Sequence, residues 1–326
     1  MTIYDLRSTK YEGPENFVTC LPVGRFDCSA FVSRHSFFSG GPCSTLDSRG
    51  EDKRISKRIR ISCLLFIMNE QKPHIIVEDL TMAFGSFVVQ RDLTFTINKG
   101  DIFIIMGGSG CGKSTLLRHM IGLQRPAKGR VLYGDISFWD AEPEDQEQLK
   151  RRVGILYQSG ALWSSMTLAE NISLPLEEYT NLNREQIQEI ISLKLSLVGL
   201  AGFEDYYPSE ISGGMKKRAG LARAMALDPD ILFFDEPSAG LDPISAHLLD
   251  KLILELRDSL GATVVIVTHE LASIFNIGNN SVFLDPDTKT MIASGDPNTL
   301  LAESKDPKVH SFLTRGKETD QVAGKN

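Results

Sequence analysis

One short segment limits the possible folds of this 326-residue chain more than any other feature. Residues 107–115 read Gly-Gly-Ser-Gly-Cys-Gly-Lys-Ser-Thr and fit the phosphate-loop pattern GxxxxGK[ST]. An apolar, strand-like run at 102–106 precedes this loop, and a helix-like run at 116–121 follows it. Strand, glycine-rich loop and helix in this order are the context that the pattern requires. The sequence therefore predicts an α/β fold that binds a phosphate group.

Each part of the loop has a defined chemical task. Glycines allow backbone N–H groups to turn inward around a β-phosphate, and the positive end of the following helix points at the same charge. We predict that Lys113 contacts the β- and γ-phosphates of ATP and that the Ser114 hydroxyl ligates Mg²⁺. Cys111 lies at the foot of the helix, where the dipole favours a thiolate, so we also expect this thiol to be reactive, with a buried and inert thiol as the alternative. The predicted nucleotide-binding residues of the loop are Gly107, Gly108, Ser109, Gly110, Cys111, Gly112, Lys113, Ser114 and Thr115.

A second apolar strand ends in two acids. The run 231–234 is followed by Asp235 and Glu236. Carboxylates at the end of a buried strand are costly unless they serve a cation or a water molecule. Asp235 suits a Mg²⁺ shell, and Glu236 suits a general base or a group that positions the attacking water. Together with 263–267, such continuous apolar strands predict a parallel sheet covered on both faces, that is, a doubly wound fold.

A second phosphate-binding segment follows further along the chain. Ser212, Gly213 and Gly214 precede a helical stretch, so their N–H groups form another cradle that no side chain obstructs. Two cradles for one ATP per chain make sense if the second serves a neighbouring copy, which predicts a homodimer. The loop and the acids alone leave a kinase, a GTPase and several classes of ATPase open.

The segment at 211–215 resembles the signature of ABC ATPases, and the rest of that family's motifs occur in order over about residues 74–295. Phe84 occupies the adenine-stacking position, Gln158 follows the strand-like run 153–157, and His269 follows 263–267. The run Ser-Ala-Gly-Leu-Asp comes directly after the Glu236-Pro237 dipeptide. Two departures from the family are Phe84 in place of its usual tyrosine and Met215 in place of glutamine. Neither removes the stacking ring or the backbone donors.

The resemblance implies a fold, domain limits and further site residues. The expected fold is a P-loop NTPase of the ABC ATPase type: a doubly wound, mostly parallel sheet with an antiparallel β portion and an inserted helical subdomain. The ATPase domain would cover 74–303, with the helical subdomain at about 160–228, and 304–326 would form a C-terminal helix and polar tail. The resemblance also implies that His269 contacts the γ-phosphate and that Gln158 links the Mg²⁺ site to a membrane partner.

Finer details resemble one subgroup, the lipid-transport ATPases that work with MCE-domain proteins, as in the Mla-type system. These details are Gln-Ser-Gly-Ala-Leu-Trp at 158–163, Leu-Pro-Leu at 174–176, Ser-Gly-Gly-Met at 212–215 and the segment 306–313. The resemblance implies ATP hydrolysis that powers phospholipid transport from the cytoplasmic face of the inner membrane. Implied partners are a MlaE-like integral-membrane permease, an MCE-domain lipid-binding protein and a small STAS-type subunit. Importers of amino acids or phosphate share every catalytic motif and stay open, as does a soluble ABC protein.

Charge and the distribution of apolar residues argue against nucleic-acid binding and against a membrane-spanning segment. The formal net charge is −7, so the chain has no overall basic field for nucleic acid. No apolar run approaches the ~20 residues of a membrane span. Residues 1–67 hold four of the five cysteines and show no sustained helix or strand period, so we expect a disordered extension or an incorrectly assigned start, with Met68 as the true one. A basic and apolar membrane-surface anchor at 53–67 is the alternative.

Overall fold

A six-stranded sheet forms the centre of the computed structural model, which describes residues 72–315. The predictions on residues 1–67 and on the polar tail after 315 lie outside the described residues. The strand order is β10-β9-β3-β8-β7-β6, and all neighbours are parallel except the β10–β9 pair. The strands of this sheet are β3 (Ile102–Gly107), β6 (Val153–Leu156), β7 (Ile231–Asp235), β8 (Thr263–Val267), β9 (Asn280–Asp285) and β10 (Thr290–Ser294).

Side chains of the central strands are buried on both faces of this sheet. Along β3, Ile102, Ile104 and Met106 belong to one hydrophobic cluster, whereas Phe103 and Ile105 belong to the other. Alternate residues of a strand point to opposite faces, so both clusters need a covering layer. Helices cover one face, and a second sheet together with the helix after the phosphate loop covers the other. The predicted doubly wound, mostly parallel sheet is confirmed.

The second sheet is the predicted antiparallel portion. Its strand order is β2-β1-β4-β5, formed by β1 (Pro73–Phe84), β2 (Phe87–Asn98), β4 (Lys128–Tyr133) and β5 (Ile136–Ser137). The sequence at 131–136, Val-Leu-Tyr-Gly-Asp-Ile, is strand-like and predicts one strand there, but the structure divides it between β4 and β5, so that prediction is wrong. Gly134 takes a left-handed φ of 60°, so the chain turns back after Tyr133 and Ile136 pairs with that residue.

Helices lie between the strands and at the end of the described chain. They are α1 (Lys113–Met120), α2 (Pro143–Arg151), α3 (Leu168–Tyr179), α4 (Arg184–Leu197), α5 (Gly213–Ala224), α6 (Pro243–Leu260), α7 (Leu271–Ile277), α8 (Pro297–Glu303) and α9 (Pro307–Thr314). Three of them, α3 to α5, are inserted between β6 and β7, as the predicted helical subdomain requires. Within residues 72–315, no helix is both long and apolar enough to cross a membrane.

Several helix starts are predicted by capping patterns in the sequence: Thr167 with Glu170, Asp296 with Pro297, and Asp306 with Pro307. Thr167 accepts a hydrogen bond from the Glu170 N–H at 3.2 Å, and the Glu170 carboxylate accepts one from the Thr167 N–H at 2.7 Å. This reciprocal capping box starts α3. Asp296 and Asp306 each cap a helix that begins with proline. These starts depend on neighbouring residues only, which is why the sequence predicts them.

Candidate nucleotide-binding site

The phosphate loop joins the end of β3 to the start of α1. Gly112 has a φ of 96° and forms the N-terminal cap position of α1. The Lys113 ammonium donates hydrogen bonds to the carbonyls of Gly107 at 2.9 Å and Gly108 at 3.0 Å, so its side chain folds back over the loop. Ser109 and Gly110 are exposed at the tip. A positive charge and the N-terminus of a helix therefore meet at one concave backbone segment, which suits a polyphosphate.

The acid that ends β7 contacts the residue just after the phosphate-loop lysine. The Ser114 hydroxyl, in the first turn of α1, donates a hydrogen bond to the Asp235 carboxylate at 3.0 Å. The neighbouring residue, Thr115, is half-buried. Because β3 and β7 are parallel to β8 between them, their carboxyl ends meet at the same sheet edge. The sequence prediction places Ser114 and Asp235 in one Mg²⁺ shell, and the structure brings these two side chains together.

The second acid pairs with a histidine. His269 Nδ1 lies 2.9 Å from Glu236 Oε1, and since an ionised carboxylate only accepts, Nδ1 carries the proton of this bond. The Glu236 side chain is 13% exposed, and its other oxygen, Oε2, is buried with no hydrogen-bond partner among the described groups. A buried carboxylate oxygen without a partner is costly, so it is suited to accept a proton from a bound molecule. His269 itself is largely exposed and open to a ligand.

The second predicted phosphate cradle lies apart from this centre. Ser212 caps α5 through a hydrogen bond from the Met215 N–H at 3.3 Å, with Gly213 and Gly214 in its first turn. Ser212 and Gly214 line a small cavity, and no residue of the phosphate loop lines it with them. This separation fits a cradle that serves another chain. Within one chain, the structure does not bring the two predicted phosphate cradles together.

Gln158 and Phe84 are both exposed near the sheet. Gln158 lies in a turn just after β6, and Phe84 ends β1 with 53% of its surface accessible. Arg223 holds the loop after Gln158, since its guanidinium donates hydrogen bonds to the carbonyls of Gly160 and Ala161. The exposed ring of Phe84 can stack on a base. The exposed amide of Gln158 lies on a loop that Arg223 holds in place, where it can contact a bound partner.

The expectation of a reactive Cys111 is wrong. Cys111 is 1% exposed, and burial raises the pKa of its thiol in spite of the nearby Lys113 charge. Desolvation penalises the thiolate more than the helix dipole and the lysine favour it. The side chain packs in the hydrophobic cluster beneath the loop. Cys111 therefore shapes the loop as a small apolar residue.

Sequence reasoning missed two polar residues that support the loop from below. The Gln90 amide donates hydrogen bonds to the carbonyls of Cys111 at 2.8 Å and Asp285 at 3.0 Å. Asp285, buried at the end of β9, accepts two 2.8 Å bonds from the Lys308 ammonium. Burial alone raises the pKa of Asp285, but the hydrogen bonds from Lys308 and Thr288 lower it to about 2. The only signal in the sequence is a lone glutamine within the apolar pattern of β2.

A third missed residue is Lys217. Its ammonium donates hydrogen bonds to three carbonyls in the segment after β7, although Lys217 lies on α5. The spacing could have indicated its burial, because Gly220 and Leu221, three and four residues further on, lie on the same buried face of the helix. A lysine on the buried face of a helix needs acceptors.

Comparison with known proteins agrees with this geometry. The family described as ABC transporter matches residues 90–239. The intermembrane phospholipid transport ATP-binding protein MlaF of Haemophilus influenzae is 38% identical over 237 residues, which cover 73% of this chain and 89% of that protein. The probable ribonucleotide transport ATP-binding protein mkl of Mycobacterium bovis is 40% identical over 237 residues. The chain spans 65% of the length of that mycobacterial relative.

Solved structures show the same fold. The protein cbiO1 of Clostridium perfringens, part of an ABC transporter complex, matches with a TM-score of 0.65 at 27% identity over 71% of this chain and 92% of that one. The cassette MJ0796, in a dimeric post-hydrolysis state with ADP and Pi, matches with a TM-score of 0.62 at 26% identity over 68% and 98%. The sheet order, the loop with its paired acids and these relatives together establish that the chain belongs to the ATP-binding subunits of the ABC transporter family.

Proposed function

We propose that this protein hydrolyses ATP to power phospholipid transport through a separate membrane permease. The observation that carries the hydrolysis is the Glu236–His269 pair, which stands at the same sheet edge as Asp235, Ser114 and the phosphate loop. The observation that favours phospholipid is the likeness to MlaF proteins over nearly their whole length. The subgroup details at 158–163 and 212–215 point the same way.

The described residues fit ATP and Mg²⁺. The Lys113 ammonium already bonds the loop backbone, and it would exchange the carbonyls of Gly107 and Gly108 for phosphate oxygens. Phe84 would stack on adenine. Among residues 72–315, no cluster of three or more His, Cys, Asp or Glu side chains could hold a metal ion unaided. This fits Mg²⁺, which keeps waters and substrate phosphates in its shell and takes few protein ligands.

Each residue of the centre has a task in hydrolysis. The Ser114 hydroxyl, Asp235 and Gln158 would hold Mg²⁺, which neutralises charge on the phosphates when bound. Glu236 Oε2 accepts a proton from the attacking water or orients it, because this oxygen is buried and has no other described partner. His269 holds the Glu236 carboxylate in place through Oε1 and presents its exposed ring to the γ-phosphate.

A homodimer completes the site in this proposal. Ser212, Gly213 and Gly214 of one chain would bind the γ-phosphate held by Lys113 of the other, since the two cradles are separate within a chain. The dimeric form of the MJ0796 cassette supports this arrangement. The permease, an MCE-domain protein and a STAS-type subunit are the partners we propose, with the ATPase on the cytoplasmic face of the inner membrane.

A second candidate substrate is a ribonucleotide. The mkl proteins of Mycobacterium carry that assignment in their name and are 40% identical to this chain. The same ATPase geometry would serve either cargo, because the cargo passes through the permease. The choice therefore rests on transport measurements.

The test starts from the Glu236→Gln variant of the full chain, purified with the membrane proteins that accompany it. Mg-ATP binding should stay close to wild type, whereas hydrolysis should fall at least ~100-fold, because a general base contributes about 10²–10⁴. Glu270→Gln is the matched control, since Glu270 lies 3.7 Å from His269 Nε2 but is not assigned to the centre. Hydrolysis by Glu236→Gln at the wild-type rate would refute the assigned role.

The cargo is tested with the same complex in proteoliposomes. We expect ATP-dependent transfer of a fluorescent phosphatidylethanolamine between vesicles and no ATP-dependent uptake of radiolabelled uridine monophosphate. The Glu236→Gln complex is the negative control. The opposite pattern of transfer and uptake would replace phospholipid with a ribonucleotide as the cargo.

A further inference from the structure

Lys217 is a buried cation to which the proposed ATP hydrolysis gives no role. Lys217 lies on α5, five positions after Ser212, and is 6% exposed. Its Nζ donates hydrogen bonds to the carbonyls of Glu236 at 3.3 Å, Pro237 at 2.6 Å and Ala239 at 2.5 Å. An ammonium has three protons, so all its donors are used. Burial lowers the pKa of Lys217, although the Glu236 charge opposes this.

The three carbonyls belong to one short segment with an unusual backbone. Glu236 has a φ of 50°, in the left-handed region that side chains other than glycine rarely adopt. A residue in this region is strained and persists only where surrounding contacts hold it. Besides Lys217, the segment has a hydrogen bond from the Glu236 N–H to the Val267 carbonyl at 2.9 Å and one from the Ala239 N–H to the Glu236 carbonyl at 3.2 Å.

We infer that Lys217 is a positioning residue that fixes the backbone of Glu236 and thereby aims its carboxylate at the reacting water. The inference rests on the proposed ATP hydrolysis. The contact also connects two parts of the proposed site. Ser212 caps the helix that carries Lys217, so this helix links the cradle proposed for the partner's nucleotide to Glu236, which is proposed to act on the chain's own nucleotide.

A buried lysine can contribute to stability alone, and a second buried lysine in the chain serves as the control for this alternative. Lys194 on α4 is 4% exposed and pairs with Asp228, away from the nucleotide site. Lys217→Met and Lys194→Met each remove a buried ammonium and keep a similar side-chain volume. We expect both variants to have a lower melting temperature. Lys217→Met leaves the carbonyls of the 236–239 segment without their donor, and Lys194→Met removes the ion pair with the exposed Asp228 carboxylate.

The first measurement is steady-state hydrolysis by the full chain with its co-purified membrane proteins. Lys217→Met should lower kcat about 100-fold, the effect of misplacing a catalytic group by about 1 Å, with the KM for ATP changed less than twofold. Lys194→Met should keep the wild-type kcat. Lys217→Arg, which keeps a charged donor, should recover at least a third of the wild-type kcat. In the Glu236→Gln background, Lys217→Met should lower kcat no further, because both changes remove one function.

The second measurement does not need hydrolysis. Hydrogen–deuterium exchange of the amides at 236–241 should be at least tenfold faster in Lys217→Met than in wild type and unchanged in Lys194→Met. If Lys217→Met does not fold, Lys217→Gln takes its place in both measurements. Unchanged exchange, or a wild-type kcat in Lys217→Met, overturns the inference. Faster exchange together with a wild type that hydrolyses no ATP would show that Lys217 fixes the backbone of Glu236, and would refute the proposed function instead.

Discussion

Alanine at the first glycine of the phosphate loop should be far more destabilising than alanine at the second. Gly107 has a φ of 147°, and a Cβ there would lie 2.3 Å from the Leu284 carbonyl oxygen and 2.8 Å from Cys111 Sγ. The backbone conformation costs about 1–3 kcal/mol for a non-glycine residue. Overpacking costs about 1–3 kcal/mol more, because β9 must move away from β3. We expect Gly107→Ala to lose about 3 kcal/mol of unfolding free energy.

Gly108 provides the control in the adjacent position. A Cβ on Gly108 meets nothing within 4 Å, and its φ is not in the left-handed region. Gly108→Ala should therefore change stability by no more than about 0.5 kcal/mol. For a domain of this size, 1 kcal/mol shifts Tm by about 2–4 °C, so Gly107→Ala should melt about 6–12 °C lower than wild type in a circular dichroism scan. Melting of both variants within 2 °C of each other would refute the steric argument.

Three further outcomes follow from the site. In the native protein, Cys111 should be alkylated at least ~100-fold more slowly than in urea, measured by mass spectrometry of its peptide, because burial favours the neutral thiol; equal rates would contradict this. Asp285→Asn should be less stable than wild type above pH 4, and the difference should shrink as the pH falls toward the folded pKa of about 2, because the protonated carboxyl no longer gains from Lys308. A difference independent of pH in chemical denaturation would rule this out. Ser212→Arg should block hydrolysis and spare nucleotide binding by the single chain, yet a mixed dimer with Lys113→Ala should occlude one ATP; a mixed dimer that occludes none would disprove the shared site.

Features that depend on neighbouring residues could be predicted from the sequence. The capping box at Thr167, the proline starts after Asp296 and Asp306, and the strand before the phosphate loop are all local patterns, and all are present. The pairing of Ser114 with Asp235 could also be anticipated, because parallel strands bring their carboxyl ends to one edge. The chemistry of the two residues and the order of the strands are enough to predict this contact without knowledge of side-chain packing.

Features set by distant parts of the chain could not be predicted in the same way. Gln90 and Asp285 are 195 positions apart and meet only after the sheet has formed. The burial of Cys111 reverses a pKa direction that the helix dipole alone suggests. The turn at Gly134 interrupts a segment whose other residues are mostly apolar, and β9 and β10 lack an alternating pattern strong enough to predict a strand. In each case the observed structure depends on desolvation or on pairing with a remote segment of the chain, which local sequence patterns do not reveal.

The pairing of β3 has a consequence for how the protein is made. Ile102 pairs with Val264 and Phe103 with Asn280, so both neighbours of the strand that carries the phosphate loop are translated long after it. The family match at 90–239 contains the loop but neither of these neighbours. A ribosome-bound chain that stops there leaves β3 with two open edges and a row of unpaired backbone groups. The strand that carries the phosphate loop therefore lacks both its neighbours until residues up to 285 have left the ribosome, and chaperones have that interval in which to bind the chain.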